Sequence, residues 1–235
     1  MSKLNIIYRA CELEVDEDNI RYGRPHWFDK LKCFKSLQDS LVGINNYKIY
    51  CIFNGKRKKL FNYIKQFSNT KVVKTKLESN FESLMASYDL ISEINLSGSY
   101  YFLEDDYLHT KDSIEVLIDG IKKFELVTTY DHPDKYEKEN LIFKKEQIKL
   151  GLHCHWRTSD YTTCTWACNE RIWKEIKNIA YKHAKLTNDI GFFKEIYEKE
   201  KKILYTPMYG RSTHLMNWTM SPYINWENIN DLIEL

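Results

Sequence analysis

At 235 residues the chain is long enough for one large domain, or two small ones, around a substantial core. Its 35 basic and 33 acidic residues nearly cancel, which argues against a nucleic-acid protein held by bulk electrostatics. Six cysteines without CxxC pairing point to reduced thiols rather than a secreted disulfide framework, and no apolar run approaches the ~20 residues that cross a bilayer.

Leu4–Tyr8 follows Met1-Ser2-Lys3 directly and reads as a first strand, too short for a secretory signal. The expected location is cytoplasmic, with peripheral attachment to a membrane through a basic face left open. Trp27, Phe28, Leu31, Phe34, Leu37 and Leu41 recur at helical spacing. Tyr47–Phe53 is the next strand, closed by an Asn54-Gly55 turn. The basic run 56–59 opens a helix to about Phe67; the run reads as a solvated loop rather than a phosphate patch. A short strand at Lys71–Thr75 and a helix over Phe81–Ile94 follow. Ser113–Phe124 is helical, with Ile114, Leu117, Ile118 and Ile121 inward, and Leu126–Tyr130 is a strand. This alternation predicts an α/β fold with a mostly parallel sheet covered on both faces.

The second half is less regular. Asp131-His132-Pro133-Asp134 is a turn, and 135–149 is a charged excursion. Leu152–Trp156 and Tyr161–Trp166 read as strands, and Asn169–Lys182 and Asp189–Glu200 as helices. Asn188 supplies N-cap chemistry to the second of these helices. No repeat or low-complexity linker divides the chain, so a single domain over 1–235 is expected.

The sharpest feature is Tyr100-Tyr101-Phe102-Leu103-Glu104-Asp105-Asp106, a buried-strand composition ending in three carboxylates. Ligands of open parallel sheets bind at the carboxyl ends of the strands. On an extended segment Glu104 and Asp106, at i and i+2, point the same way and can face one divalent ion, with phosphate and water completing its shell. The competing reading is an acidic strand cap whose charges stay wet.

In this order of elements, and in Glu104-Asp105-Asp106, the chain resembles the GT-A glycosyltransferases. In that superfamily a Rossmann-like half binds a nucleotide sugar, and a DxD-type motif at a strand end holds Mn²⁺ or Mg²⁺ against the diphosphate. The first Asp of that motif is Glu104 here. The resemblance implies a nucleotide-sugar half over 1–130 and an acceptor half over 131–235. It implies Glu104, Asp106 and the late His214 as metal ligands, the last a reasonable third ligand for Mn²⁺ beside carboxylates. Tyr8, Arg9, Asn54, Asp105 and Arg211 fall on the donor side, where Arg211 would offset diphosphate charge. Trp156, Asp160 and Trp166 fall on the sugar side. Asp189 sits where inverting members place a general base; a first-turn acid favoured by the helix dipole explains it equally. A carbohydrate or other hydroxyl acceptor and a UDP- or GDP-linked donor are the implied partners.

Two alternatives are kept. A sugar nucleotidyltransferase shares the α/β half and the metal carboxylates, but that class carries a Gly-rich basic loop after its first strand. Here Arg9–Asp18 has no glycine and five acidic residues. A non-catalytic carbohydrate-binding protein would use the 17 Tyr and 6 Trp as stacking platforms, although such modules are mostly β-sandwiches. A zinc site at His153, His155, Cys164 and Cys168 is disfavoured, because no second close cysteine pair accompanies them.

Overall fold

The structure is a computed structural model and describes residues 3–12, 23–55, 59–77, 79–137, 142 and 146–235. Most of the expected basic run at 56–59 lies outside these residues, as does part of the excursion at 135–149. Among the described residues the strands are β1 (Leu4–Glu12), β2 (Tyr47–Gly55), β3 (Thr70–Thr75), β4 (Ser99–Glu104), β5 (Tyr107–His109), β6 (Leu126–Val127), β7 (Ile148–Leu150), β8 (His155–Ser159), β9 (Trp166–Asn169), β10 (Leu204–Met208) and β11 (Ser212–His214). The helices are α1 (Lys30–Ser40), α2 (Lys59–Lys65), α3 (Asn80–Glu93), α4 (Ser113–Phe124), α5 (Glu170–Ala184), α6 (Asp189–Glu200) and α7 (Trp226–Asp231).

Nine strands form one sheet in the order β3-β2-β1-β4-β9-β6-β10-β8-β7, and β5 pairs with β11 in a separate ribbon. The first four strands are mutually parallel, and β9 and β8 run against the rest. This is the mostly parallel Rossmann-like α/β sheet expected from the alternation, with the reversal at β9. Strands from both halves of the chain share it.

Side chains along β1 alternate between two cores, as the pleat demands. Leu4, Ile6, Tyr8 and Ala10 pack beneath α1, α2 and α4, and Phe34 meets Tyr8 edge-on at 5.2 Å. Ile7 faces the opposite layer with Phe102, under α3, α5 and α6. Burying each such side chain stabilises the fold by about 1.5–3 kcal/mol. Helix starts are marked by local chemistry. The Asp29 carboxylate accepts from Leu31 N, and Ser79 and Glu82 form a reciprocal capping box at α3. No described helix is long and apolar enough to cross a membrane.

The expected Leu126–Tyr130 strand shortens to two residues, and β8 and β9 fall three to five residues later than the periodicity suggested. More consequential is the end of β4. The strand stops at Glu104, and Asp105-Asp106 forms a turn into β5. The i, i+2 argument for Glu104 and Asp106 therefore fails, because it requires an extended backbone through Asp106.

Candidate active site

The carboxyl ends of β1 and β4 carry a cluster of paired charges. β1 and β4 pair in register so that Arg9 lies beside Glu104. The Arg9 guanidinium is ion-paired to Glu104 and donates to Asn80 Oδ1 at 2.8 Å, at the start of α3. Asp105 turns toward β1 instead. It accepts from Cys11 N at 2.7 Å and lies 3.2 Å from Lys30 Nζ, on α1. Burial raises the Asp105 carboxyl to about 6, against the pull of Lys30.

Asp106 points elsewhere again. Its Oδ2 receives Arg24 Nη2 at 2.7 Å and stands 2.9 Å from His214 Nε2. Burial opposes the charge on Asp106, but His214 and Arg24 overcome it and hold the carboxyl well below the usual carboxylate range. Burial likewise lowers His214, and Asp106 more than offsets it, leaving the imidazole raised. Each group thus favours the charged form of the other, and a metal bound here would have to displace the proton from the imidazole. The His214 ring stacks on Tyr107 at 5.2 Å, and Thr219 Oγ1 lies 3.3 Å from its Nδ1.

Asp189 opens α6 from the other side of Glu104. Burial raises its carboxyl to about 6, the charge of Glu104 adds to the rise, and Arg9 opposes it. Cys164 Sγ donates to Asp189 Oδ2 at 3.8 Å, from a backbone at φ 48°. Arg9, Glu104, Cys164 and Asp189 thus form one group, and Arg24, Asp106 and His214 another beside it.

A metal fits the second group in part. Asp106 Oδ1 is buried without a hydrogen-bond partner, a costly state for a carboxylate oxygen that a cation would relieve. The donor set, one carboxylate and one imidazole, suits Mn²⁺. Glu104 is committed to Arg9, and among the described residues no three His, Cys, Asp or Glu side chains are arranged to hold an ion. A bound ion there would need outside oxygens from phosphate and water.

The remaining expected residues divide. Asn54 clamps the backbone of Leu77 with two bonds, at 2.8 and 3.1 Å. Tyr8 is a core residue against Phe34. Arg211 is not with the acidic turn; its guanidinium binds Asp112 Oδ2 at 2.9 Å and Tyr209 O at 2.6 Å. Asp160 is buried and accepts from Ile142 N at 3.2 Å. The two indoles expected to face a sugar are packing groups. Trp156 is 0% exposed against Phe124, and Trp166 stacks on Phe102 at 4.3 Å. Neither offers a free face, because each strand turns its indole into one of the two cores.

Sequence reasoning missed Arg24, Lys30 and Asn80, and weighed Cys164 only as a disfavoured zinc ligand. The capping box at Ser79-Asn80-Phe81-Glu82 offered a signal for Asn80, since it fixes where α3 begins. Arg24, between Gly23 and Pro25, carries no periodicity that would have marked it.

No protein-family profile matches the chain, and no curated protein matches its sequence. Solved structures do match. A 4-diphosphocytidyl-2C-methyl-D-erythritol synthase from Anaerococcus prevotii DSM 20548 aligns at 10% identity and TM-score 0.52, over 97% of this chain and 93% of that one. A CMP:2-keto-3-deoxy-manno-octonic acid synthetase, solved with CTP, aligns at 10% identity and TM-score 0.47, over 87% and 89%. The glycosyltransferase GlyE of Streptococcus pneumoniae TIGR4 aligns at 15% identity and TM-score 0.47, over 86% of this chain and 45% of that one. Of the three, the first has a TM-score above one half, and at its identity the likeness is one of fold.

Proposed function

We propose that this α/β chain transfers a sugar from a nucleotide-diphospho-sugar to a hydroxyl acceptor, with Mn²⁺ or Mg²⁺ held by Asp106 and His214. The observation that carries the reading is the unpartnered Asp106 Oδ1 beside His214, at the carboxyl end of β4 where open sheets bind ligands. The cation would offset the negative charge that develops on the departing nucleoside diphosphate. Arg24 and Lys30 add fixed positive charge to the same rim.

Asp189 is the proposed base. A carboxylate held near 6 stays ionised at neutral pH and takes a proton more readily than one at its ordinary value. Arg9 holds Glu104 beside it, so the Glu104 charge tunes Asp189 rather than ligating the metal. If configuration is retained, Asp189 orients the acceptor instead.

Nucleotidyl transfer to a sugar is the second reading, supported by the synthase whose fold this chain shares over 97% of its length. Products separate the two: glycosyl transfer releases a nucleoside diphosphate, nucleotidyl transfer consumes a triphosphate and releases pyrophosphate, and a carbohydrate-binding protein releases neither. The first test is calorimetric titration of UDP and GDP, with and without Mn²⁺, on the wild type and Asp106→Ala. Binding that needs both metal and Asp106 supports the donor site. Metal-independent binding, or none, sinks the role of Asp106.

A further inference from the structure

Three tyrosines meet on the surface beyond the acidic turn. The rings of Tyr209 and Tyr223 stand 4.9 Å apart, and Tyr136 meets Tyr223 edge-on at 6.0 Å. All three are exposed, Tyr223 to 71%. Tyr223 also has φ 71°, in the left-handed region that bulky residues avoid. With most of its ring in solvent, packing does not offset that conformational cost. Backbone outliers of this sort gather at ligand clamps.

The group is braced from below. The Tyr136 hydroxyl donates to Asp131 Oδ2 at 2.5 Å, and the Arg157 guanidinium lies 5.0 Å behind its ring. Asp131 and Arg157 form a buried ion pair, 0% and 2% exposed. After Tyr209, a Cβ at Gly210 would lie 2.9 Å from Ser221 Oγ and 3.0 Å from Asp131 Cβ, so glycine lets this loop close on Asp131. Ser221 N in turn donates to Thr213 Oγ1 at 2.7 Å, next to His214. Tyr209, Tyr223 and the proposed metal ligand therefore hang on one segment, 209–223, against which Tyr136 packs.

Among the described residues the nearby cations are engaged. Arg157 pairs with Asp131 and Glu146, and Lys135 with Asp134. Among the described residues the surface thus presents ring faces, with the Tyr209 and Tyr223 hydroxyls, and no unpaired cation beside them. That disfavours a polyanion and suits a neutral ligand with an apolar C–H face and a polar rim.

We propose that Tyr136, Tyr209 and Tyr223 form a subsite for a pyranose ring of a carbohydrate. Its role as acceptor subsite rests on the glycosyl-transfer reading; sugar binding itself does not. The test titrates maltohexaose, cellohexaose, chitohexaose and laminarihexaose, all neutral, into the full chain without nucleotide, by calorimetry and intrinsic fluorescence. At least one should saturate. Tyr223→Ala and Tyr209→Ala should each weaken it roughly tenfold, whereas Tyr223→Phe should keep it within about threefold, because the stacking face survives. Both alanine variants should keep the wild-type melting temperature. Failure of all four oligosaccharides to saturate, or alanine variants that bind like wild type, would overturn the proposal. Sugar binding without UDP or GDP binding would remove the donor reading and leave the tyrosine subsite standing. Nucleotide binding without sugar binding would do the reverse.

Discussion

His214 reaches Asp106 across 108 residues of sequence, with Nε2 2.9 Å from Oδ2, because β11 pairs with β5 so that His214 lies opposite Tyr107. Neither partner is placed by its own neighbours. The short ribbon brings a late imidazole to a turn that the parallel sheet has already set at its carboxyl edge. Leu215 N then donates to Asp106 O at 3.0 Å and locks the register at that point.

Asp106→Asn tests this arrangement. The amide keeps the shape but removes the charge that Arg24 and His214 face, with side chains only 5% and 11% exposed. Breaking a buried pair from one side costs about 3–5 kcal/mol. Urea denaturation at pH 7 should show a loss of that order, and Mn²⁺-dependent UDP or GDP binding should disappear. A variant as stable as wild type would show that Asp106 is not the partner of these cations in solution.

Asp189 carries a pH prediction. Its folded carboxyl is raised to about 6, above the ordinary value near 4, so the folded state holds an extra proton between those limits. Linkage then makes folding less favourable as pH rises from about 4 to 6, with the full penalty present above 6. Asp189→Asn should therefore raise stability at pH 7.5 and by less at pH 5. In turnover the sign reverses: the base form is lost as pH falls, so kcat/KM should drop about tenfold per unit below pH ~6. Glu104→Gln removes part of the cause and should move the inflection to lower pH. An unmoved inflection would detach Asp189 from the Glu104 charge.

Asn54 tests a position where the sequence reading and the geometry diverge. Its amide both donates to Leu77 O and accepts from Leu77 N, tying the end of β2 to the approach to α3. Asn54→Ala should cost about 1–2 kcal/mol through two lost hydrogen bonds, measured by thermal denaturation. Nucleotide affinity should stay within about twofold. A large fall in affinity at unchanged stability would return Asn54 to the donor site.

What the sequence made legible follows from what is local. α4 and α6 match their expected limits because amphipathic spacing and the Asn188 cap act within a few residues. β10 and β11 escaped notice. β10 carries Pro207, and β11 is Ser212-Thr213-His214; each is a strand only because a partner far along the chain pairs with it. The acidic triplet was visible as chemistry, but its three side chains diverge because β4 ends at Glu104, which the aromatic run before it does not reveal. Arg24 was invisible for the same reason as β11: its meaning is tertiary.

Trp156 shows the same limit, since composition cannot separate an indole that stacks on sugar from one that fills a core. Here a Cβ added at Gly120 would lie 2.4 Å from the ring's Cη2, and Phe124 flanks it at 5.4 Å. α4 therefore lies on the indole through a glycine that leaves no room for a methyl group. Trp156→Ala should lose about 3–5 kcal/mol by opening a cavity. Gly120→Ala should also destabilise, by about 1–3 kcal/mol, because a rigid ring must move. The two effects share one cause, so they should not add. In a Trp156→Leu background the smaller side chain leaves space, and Gly120→Ala should become nearly neutral or stabilising, since alanine favours the helix by about 1 kcal/mol. Urea denaturation of the four proteins closes the cycle. Additive losses would mean that the helix and the indole do not press on each other.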